Sequence, residues 1–298
     1  MPRGPQITDH LQLLDYGLAF VGLDDAGQCI ETMQGNFKAN YGCTSKTAFH
    51  LFTMINLSPN ITTPPMHYFL MTLFFLKTYL HVKQFMGIFN IKSDKTARVW
   101  LWKVLDMISY VCDDMVRMPL SHELPAGVEF IMTGDGIHFH CNETRIDPDR
   151  PFCSEQQSHK NRKAGLSYLI YTSILESKVI GFDGPFDAGT GDATIFKNGM
   201  LHQMPHGKKM IGDKGFGHKD IEHLVSCPNH LDDEETTDFK NRAGARQEHV
   251  NERLTEFGVL DQRFYHNWDR KNKHKLCFKA CLALVQISLA DERPLIPM

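Results

Sequence analysis

Along the first 120 residues the apolar positions recur at helical spacing, whereas beyond them they fall in short runs punctuated by glycine. Met66–Leu80 is almost wholly apolar and follows Pro64-Pro65, which predicts a helix over Met66–Val82. A break follows around Gly87–Ser93. Ser93 then predicts the cap of a second helix, whose Val99, Leu101, Trp102, Leu105, Ile108 and Val111 lie close to the stripe of a core-facing helix. Residues 66–120 therefore read as a helical region. Residues 1–65 show few strong periodicities and end in a turn-rich stretch, Ser58 to Pro65, so they read as a poorly defined lead-in.

Pro119–Pro125 reads as a linker, and the pattern changes after it. Val128–Thr133 predicts a short strand ending in Gly134-Asp135-Gly136. Ser167–Leu175 and Lys178–Phe182 predict two strands joined at Glu176-Ser177 as a hairpin. Ala193–His202 predicts a helix, Lys209–Gly212 a short strand, Asp232–Phe257 a long polar helix and Lys273–Leu289 a final amphipathic one. Strand, hairpin, helix, strand, helix is an α/β order with a mixed sheet over residues 126–298.

Composition narrows the function classes. The chain has 298 residues, 42% of them hydrophobic and 22% charged, with a formal charge of −3. That excludes coating DNA by bulk charge and leaves room for a local basic face. Eight scattered cysteines with no Cys-x-x-Cys pair predict a reduced intracellular setting. The apolar run at Met66–Leu80 is short for a membrane span and holds Lys77, so a buried helix is expected there and no membrane partner. Lys95, Arg98 and Lys103 on the second predicted helix fit a helix-turn-helix DNA reader, and a plain helical bundle fits the same pattern. There is no P-loop, dinucleotide fingerprint or Gly-x-Ser-x-Gly elbow.

Four short acidic motifs carry the chemistry: Gly134-Asp135-Gly136, Gly189-Thr190-Gly191-Asp192, Gly212-Asp213-Lys214-Gly215-Phe216 and Arg246-Gln247-Glu248-His249-Val250-Asn251. Cleavage of a phosphodiester needs a nucleophilic oxygen made at neutral pH and a stabilised leaving oxygen, which two Mg²⁺ ions supply together. Mg²⁺ takes hard oxygen ligands, so carboxylates from distant parts of the chain must converge. Asp135 and Asp213 each stand after a predicted strand, with glycines nearby that let a metal or phosphate approach the backbone. Glu248 lies on the long helix, with Asn251 and Glu252 on the same face; Glu252 is an understudy for it.

The motifs together resemble the DDE-superfamily endonucleases of PIF/Harbinger-type transposons, from about Phe130 to the C-terminus. The matching stretches are Gly134–His138, Gly184–Gly189, Asp192, Gly212–Phe216 and Ala245–Leu254, with Phe257–Leu260 and Arg263-Phe264 downstream. The resemblance implies an RNase H-like mixed sheet flanked by helices, with the N-terminal helical region beside it. It implies Mg²⁺ or Mn²⁺ held by Asp135, Asp213 and Glu248, and a metal-dependent DNA endonuclease or transposase. Asp192 is the rival for the second metal position, or a residue that orients a ligand or water. DNA as partner, a separate DNA-binding partner protein, a homodimer and a nuclear site of action are further implications. The family pattern usually places a lysine where this chain has Thr255, which leaves open a catalytically silent, transposase-derived DNA-binding or interaction module.

Other clusters read more weakly. His138, His140 and Cys141, with Cys153 and His159, invite a zinc reading but lack the spacing of four closed ligands. Ser158–Lys163 fits a phosphate contact or a solvated loop equally, Lys208-Lys209 reads as a solvated strand start, and Arg270–Lys275 is another candidate DNA contact. Trp100 and Trp102 read as helix packing.

Overall fold

The computed structural model describes residues 7–23, 27–143, 153–158, 162–266 and 268–298. The chain divides into two compact units. The first holds Met1–Met115, Leu254–Gln262 and Leu276–Asp291; the second holds Val116–Arg253, Arg263–Lys275 and Glu292–Met298.

In the first unit, the stretch that shows little periodicity contains three helices: α1 (His10–Phe20), α2 (Ile30–Tyr41) and α3 (Ser45–Leu57). Asp9 caps α1 by accepting from the Leu11 and Gln12 amides, and Thr44 caps α3 by accepting from Thr47. The buried residues of α2 are only Phe37 and Tyr41, too few to register as a periodic face. The Tyr41 hydroxyl donates to the Gly17 carbonyl at 2.7 Å and ties α2 to α1. Gly42 ends α2 at φ 79°, where a Cβ would also lie 2.5 Å from the Phe257 ring, so this position needs glycine twice over.

The apolar run forms α4 (Met66–Thr78), in which every residue from Tyr68 to Leu76 is buried. A helix apolar on all sides belongs in a core, and α4 packs against α2, α6 (Asp94–Met115) and α9 (Gly258–Asp261). Among the described residues no helix is long and apolar enough to cross a membrane. Ser93 accepts from the Thr96 amide at 3.3 Å at the start of α6. Leu101, Leu105, Ile108 and Val111 of α6 are buried, but Val99 is 56% exposed. A further helix, α5 (Val82–Ile88), stands between α4 and α6, so the expected short connection is itself helical. Trp100 stacks on Tyr68 with 4.7 Å between ring centroids, and Trp102 meets Phe75 edge-on.

The second unit is built on a mixed five-stranded sheet: β1 (Phe130–His140), β2 (Gly165–Ser173), β3 (Val179–Asp187), β4 (Lys209–Gly212) and β5 (Val225–Ser226). The order is β3-β2-β1-β4-β5. β1, β2 and β3 pair antiparallel, whereas β1–β4 and β4–β5 pair parallel. One face packs Met132, Leu169, Tyr171 and Met210 against Ala193, Ile195 and Phe196 of or beside α7 (Asp192–Asn198). On the other face Phe130, Ile174 and Ile211 meet Phe239 and Ala243 of α8 (Glu234–Thr255). The last helix, α10, spans Arg270–Asp291.

β1 runs well past the end expected at Thr133, because β2 pairs with it as far as His140. On its other side β4 stops at the pair Gly134↔Gly212. Asp135 is thus not at the end of a strand. It is the first residue of β1 whose β4 side is open.

Candidate active site

Strand and helix geometry gather the acidic motifs in the second unit. Side chains alternate along β1, so Asp135 projects to one face while Gly134 and Gly136 face the other. The parallel register puts Gly212 beside Gly134, and the next residue of each strand is an aspartate. Asp213 leaves the sheet as the cap of a short helical turn, its carboxylate accepting from the Gly215 amide at 2.7 Å.

The helix α8 meets Asp135 directly. Asn251, only 9% exposed, donates its side-chain amide to the Asp135 carboxylate at 2.9 Å. Gln247, one turn earlier, approaches Asn251 at 3.5 Å, the long limit of a hydrogen bond. Glu248 stands exposed on the same helix. Helix register is held by Arg246, which is buried and donates to the backbone carbonyls of Ser173, Glu176 and Ile296. Asn251 escaped the sequence reading as a partner of Asp135; its place three residues after Glu248 was the available signal.

Burial, and then the like charges of Glu248 and Asp213, push the Asp135 carboxyl up to about 6. The Gly136 amide and Asn251 oppose this, and no cationic side chain is among the groups that lower it. Among the described residues, Asp135 is therefore steadied only by hydrogen bonds from neutral groups. Glu252 is exposed and is not among the charges acting on Asp135.

Asp192 begins α7 and comes at the same region from the other sheet face. A Cβ on Gly136 would lie 2.3 Å from its Oδ1, so the absent side chain of Gly136 makes room for that carboxylate. A Cβ on Gly215 would lie 2.8 Å from Asp213 Oδ1 and 3.6 Å from Asp192 Oδ2, so both carboxylates border the same glycine. Asp135, Asp192 and Asp213 thus lie about the end of β4, and Glu248 is near enough to act on Asp135. They do not converge: among the described residues no group of three or more His, Cys, Asp or Glu side chains forms a metal-binding cluster. The chemistry of the donors suits a hard divalent cation, since they are carboxylate oxygens and Asp135 is raised by the like charges of Glu248 and Asp213.

The zinc reading gains nothing from the geometry. His138 Nδ1 pairs with Ser167 Oγ at 2.7 Å, Cys141 is buried, and His159 lies outside the described residues. Lys208 donates to the Val128 carbonyl and Lys209 pairs with Glu129 at 2.7 Å, both holding the start of β4. Part of the Ser158–Lys163 run lies outside the described residues; Lys163 and Arg263 both act on His140, after its burial, to hold its imidazole below the usual range.

No family model matches the chain, and no curated protein matches it in sequence. A crystal structure of a pre-cleavage Mos1 transpososome aligns over 95% of this chain and 96% of its own, at 11% identity and a TM-score of 0.27.

Proposed function

We propose that the second unit is a DDE-type, metal-dependent DNA endonuclease of the PIF/Harbinger transposase kind, built on an RNase H-like sheet. What supports the fold is the strand order β3-β2-β1-β4-β5, with an antiparallel first three strands and a parallel pair after them. The site rests on one observation: Asp135 on the first strand, Asp213 directly after the fourth and Glu248 on a late helix are near enough for both others to act on Asp135.

In this reading Asp135, Asp213 and Glu248 would hold Mg²⁺ or Mn²⁺. When bound, such ions supply a hydroxide nucleophile at neutral pH and neutralise the leaving oxygen. Asn251 holds one oxygen of Asp135 by its side-chain amide. Asp192, set against Gly136 and Gly215, orients a water or a ligand from the opposite face. DNA is the substrate, and the reading places the protein in the nucleus, with a DNA-binding partner protein or a second copy as further participants. Cleavage of supercoiled plasmid with Mg²⁺ or Mn²⁺ tests this. Wild type should cut, and Asp135→Ala, Asp213→Ala and Glu248→Ala should not; the Asp192→Ala result ranks Asp192. Folded wild type that never cuts overturns the reading.

The absence of a converged cluster among the described residues, together with Thr255, favours a second reading, a catalytically silent DNA-binding module of the same descent. Such a module would bind DNA equally well in chelator and after Asp135→Ala.

A further inference from the structure

The segment between Phe264 and α10 presents one large side chain that the fold does not use. Trp268 is 80% exposed, against 43% for Tyr110. Buried residues flank Trp268 in the chain. Phe264 is buried, donates its amide to the His140 carbonyl at 2.8 Å and pairs with the end of β1 through Cys141. Two residues after the tryptophan, buried Arg270 donates to the Asn142 carbonyl. The exposed indole thus stands between two buried residues of the chain, Phe264 and Arg270.

Charge says what the ring suits. Residues 262–275 carry five Lys or Arg and one acidic residue, Asp269. Asp269 is engaged by the Asn272 side-chain amide at 2.7 Å. Lys271 pairs with Asp187 at 3.0 Å, and Lys273 Nζ lies 4.8 Å from the centroid of the Trp268 ring. A ring has two faces; the ammonium occupies one, and the high exposure leaves the other to solvent. A ring with one open face among cations matches a nucleic-acid base with its phosphates. The contact at His140 is five residues along β1 from Asp135, on the order of 16 Å at strand rise.

We propose that Trp268 stacks on an unpaired base of a DNA strand, with Lys273, whose ammonium lies at the ring, meeting the flanking phosphate. This deepens the endonuclease reading and rests on it for the identity of the substrate: a single-stranded overhang or a base displaced from its duplex near the cut.

The test is binding in chelator, which removes cutting from the question. A short labelled duplex with a single-stranded overhang is compared with its blunt counterpart by fluorescence anisotropy. Wild type should bind the overhang about tenfold more tightly than the blunt duplex, in the range that base–aromatic stacking supplies. Intrinsic tryptophan emission should be quenched on binding. Trp268→Ala should abolish both the preference and the quenching, and Trp268→Phe should keep the preference. Because the ring is exposed, unchanged thermal midpoints should accompany both variants. Equal affinity of wild type and Trp268→Ala for the overhang overturns the proposal, as does a wild type that does not bind the overhang. A chain that cuts plasmid without any Trp268-dependent preference overturns this proposal alone. A chain that prefers the overhang through Trp268 but never cuts keeps it and overturns the nuclease reading.

Discussion

Asn251 donates a hydrogen bond to Asp135 at 2.9 Å, across 116 positions of chain, and so joins α8 to the middle of β1. The bond favours the charged carboxylate and acts against the burial and like charges that oppose it. Asn251→Ala should therefore leave Asp135 worse solvated and its carboxylate free to rotate. Loss of a hydrogen bond to a charged group costs about 1.5–3 kcal/mol. If Asp135 holds a divalent ion, affinity for that ion should fall about 10- to 100-fold, as for other residues that orient a ligand. Following the thermal midpoint through a Mn²⁺ titration reads this without any cleavage assay. Identical titrations for wild type and variant would show that the bond does not serve metal binding.

Asp135 should also weaken the fold at neutral pH when no divalent ion is present. Its folded pKa is pushed up to about 6, against an unfolded value near 4. The folded state then binds more protons between those two values, so stability falls as pH rises from about 4 to 6 and stays lower above it. Two units correspond to about 3 kcal/mol at most, less whatever solvent screening remains at this partly exposed group. Asp135→Asn should raise the denaturant midpoint at pH 7 in chelator, while removing divalent-dependent activity. A lower midpoint for Asp135→Asn would contradict the burial and repulsion acting on this carboxyl.

Much of this arrangement is legible in the chain, and the misses have physical causes. Lys209–Gly212 forms the expected strand, and the long polar helix carries Glu248 as its spacing predicts. β1 was too short in the sequence reading because Gly134 and Gly136 look like a turn, and only pairing with β2 keeps them extended. Of the first three helices only α2, which buries Phe37 and Tyr41 alone, lacks a periodic face; Leu13, Leu14 and Leu18 of α1 and Ala48, Leu51, Phe52 and Ile55 of α3 recur at helical spacing behind the caps Asp9 and Thr44, a signal the chain does carry. β5, two residues long, carries no pattern at all; it exists because β4 offers it an edge. The partnership of Asp192 with Gly136 joins positions far apart in sequence, and no local spacing encodes it.

His274 sets a different pH dependence. It is fully buried, its Nδ1 meets the Tyr168 hydroxyl at 2.9 Å, and its ring lies against Phe139 and Phe264. Burial, and then the neighbouring Arg270 charge, push its imidazole down to about 3. The unfolded chain takes up this proton near pH 6.5 and the folded chain does not, so stability is complete above about 6.5 and is lost as pH falls toward 3. The slope is at most about 1.4 kcal/mol per pH unit. Asp135 acts in the opposite sense between about 4 and 6, so the two partly offset each other in the wild type. His274→Phe should lower stability at pH 7 by about 1–2 kcal/mol through the lost Tyr168 bond and should flatten the acid limb. Denaturant midpoints measured across pH 3–7 check both parts; an unaltered acid slope in the variant would place the titration elsewhere.

The closest approach in the candidate site yields a paired prediction. Gly136→Ala would put a methyl 2.3 Å from Asp192 Oδ1, inside any real contact distance. The carboxylate is the movable partner, since the methyl is fixed by a strand paired with β2 on one side. Gly136→Ala should thus destabilise the fold by about 1–3 kcal/mol, as overpacking does, and displace Asp192. Asp192→Ala alone should change stability less. In the double variant the clash has no partner, so most of the Gly136→Ala loss should return, a coupling of about 1 kcal/mol or more between residues in contact. Additive single effects would mean that Asp192 moves aside at no cost. The same four proteins then rank Asp192 in cleavage: if it orients the reacting groups, Gly136→Ala should lose activity as Asp192→Ala does, and the double variant should recover stability without recovering cutting. Recovery of both would remove Asp192 from the site and leave Asp213 as the second aspartate.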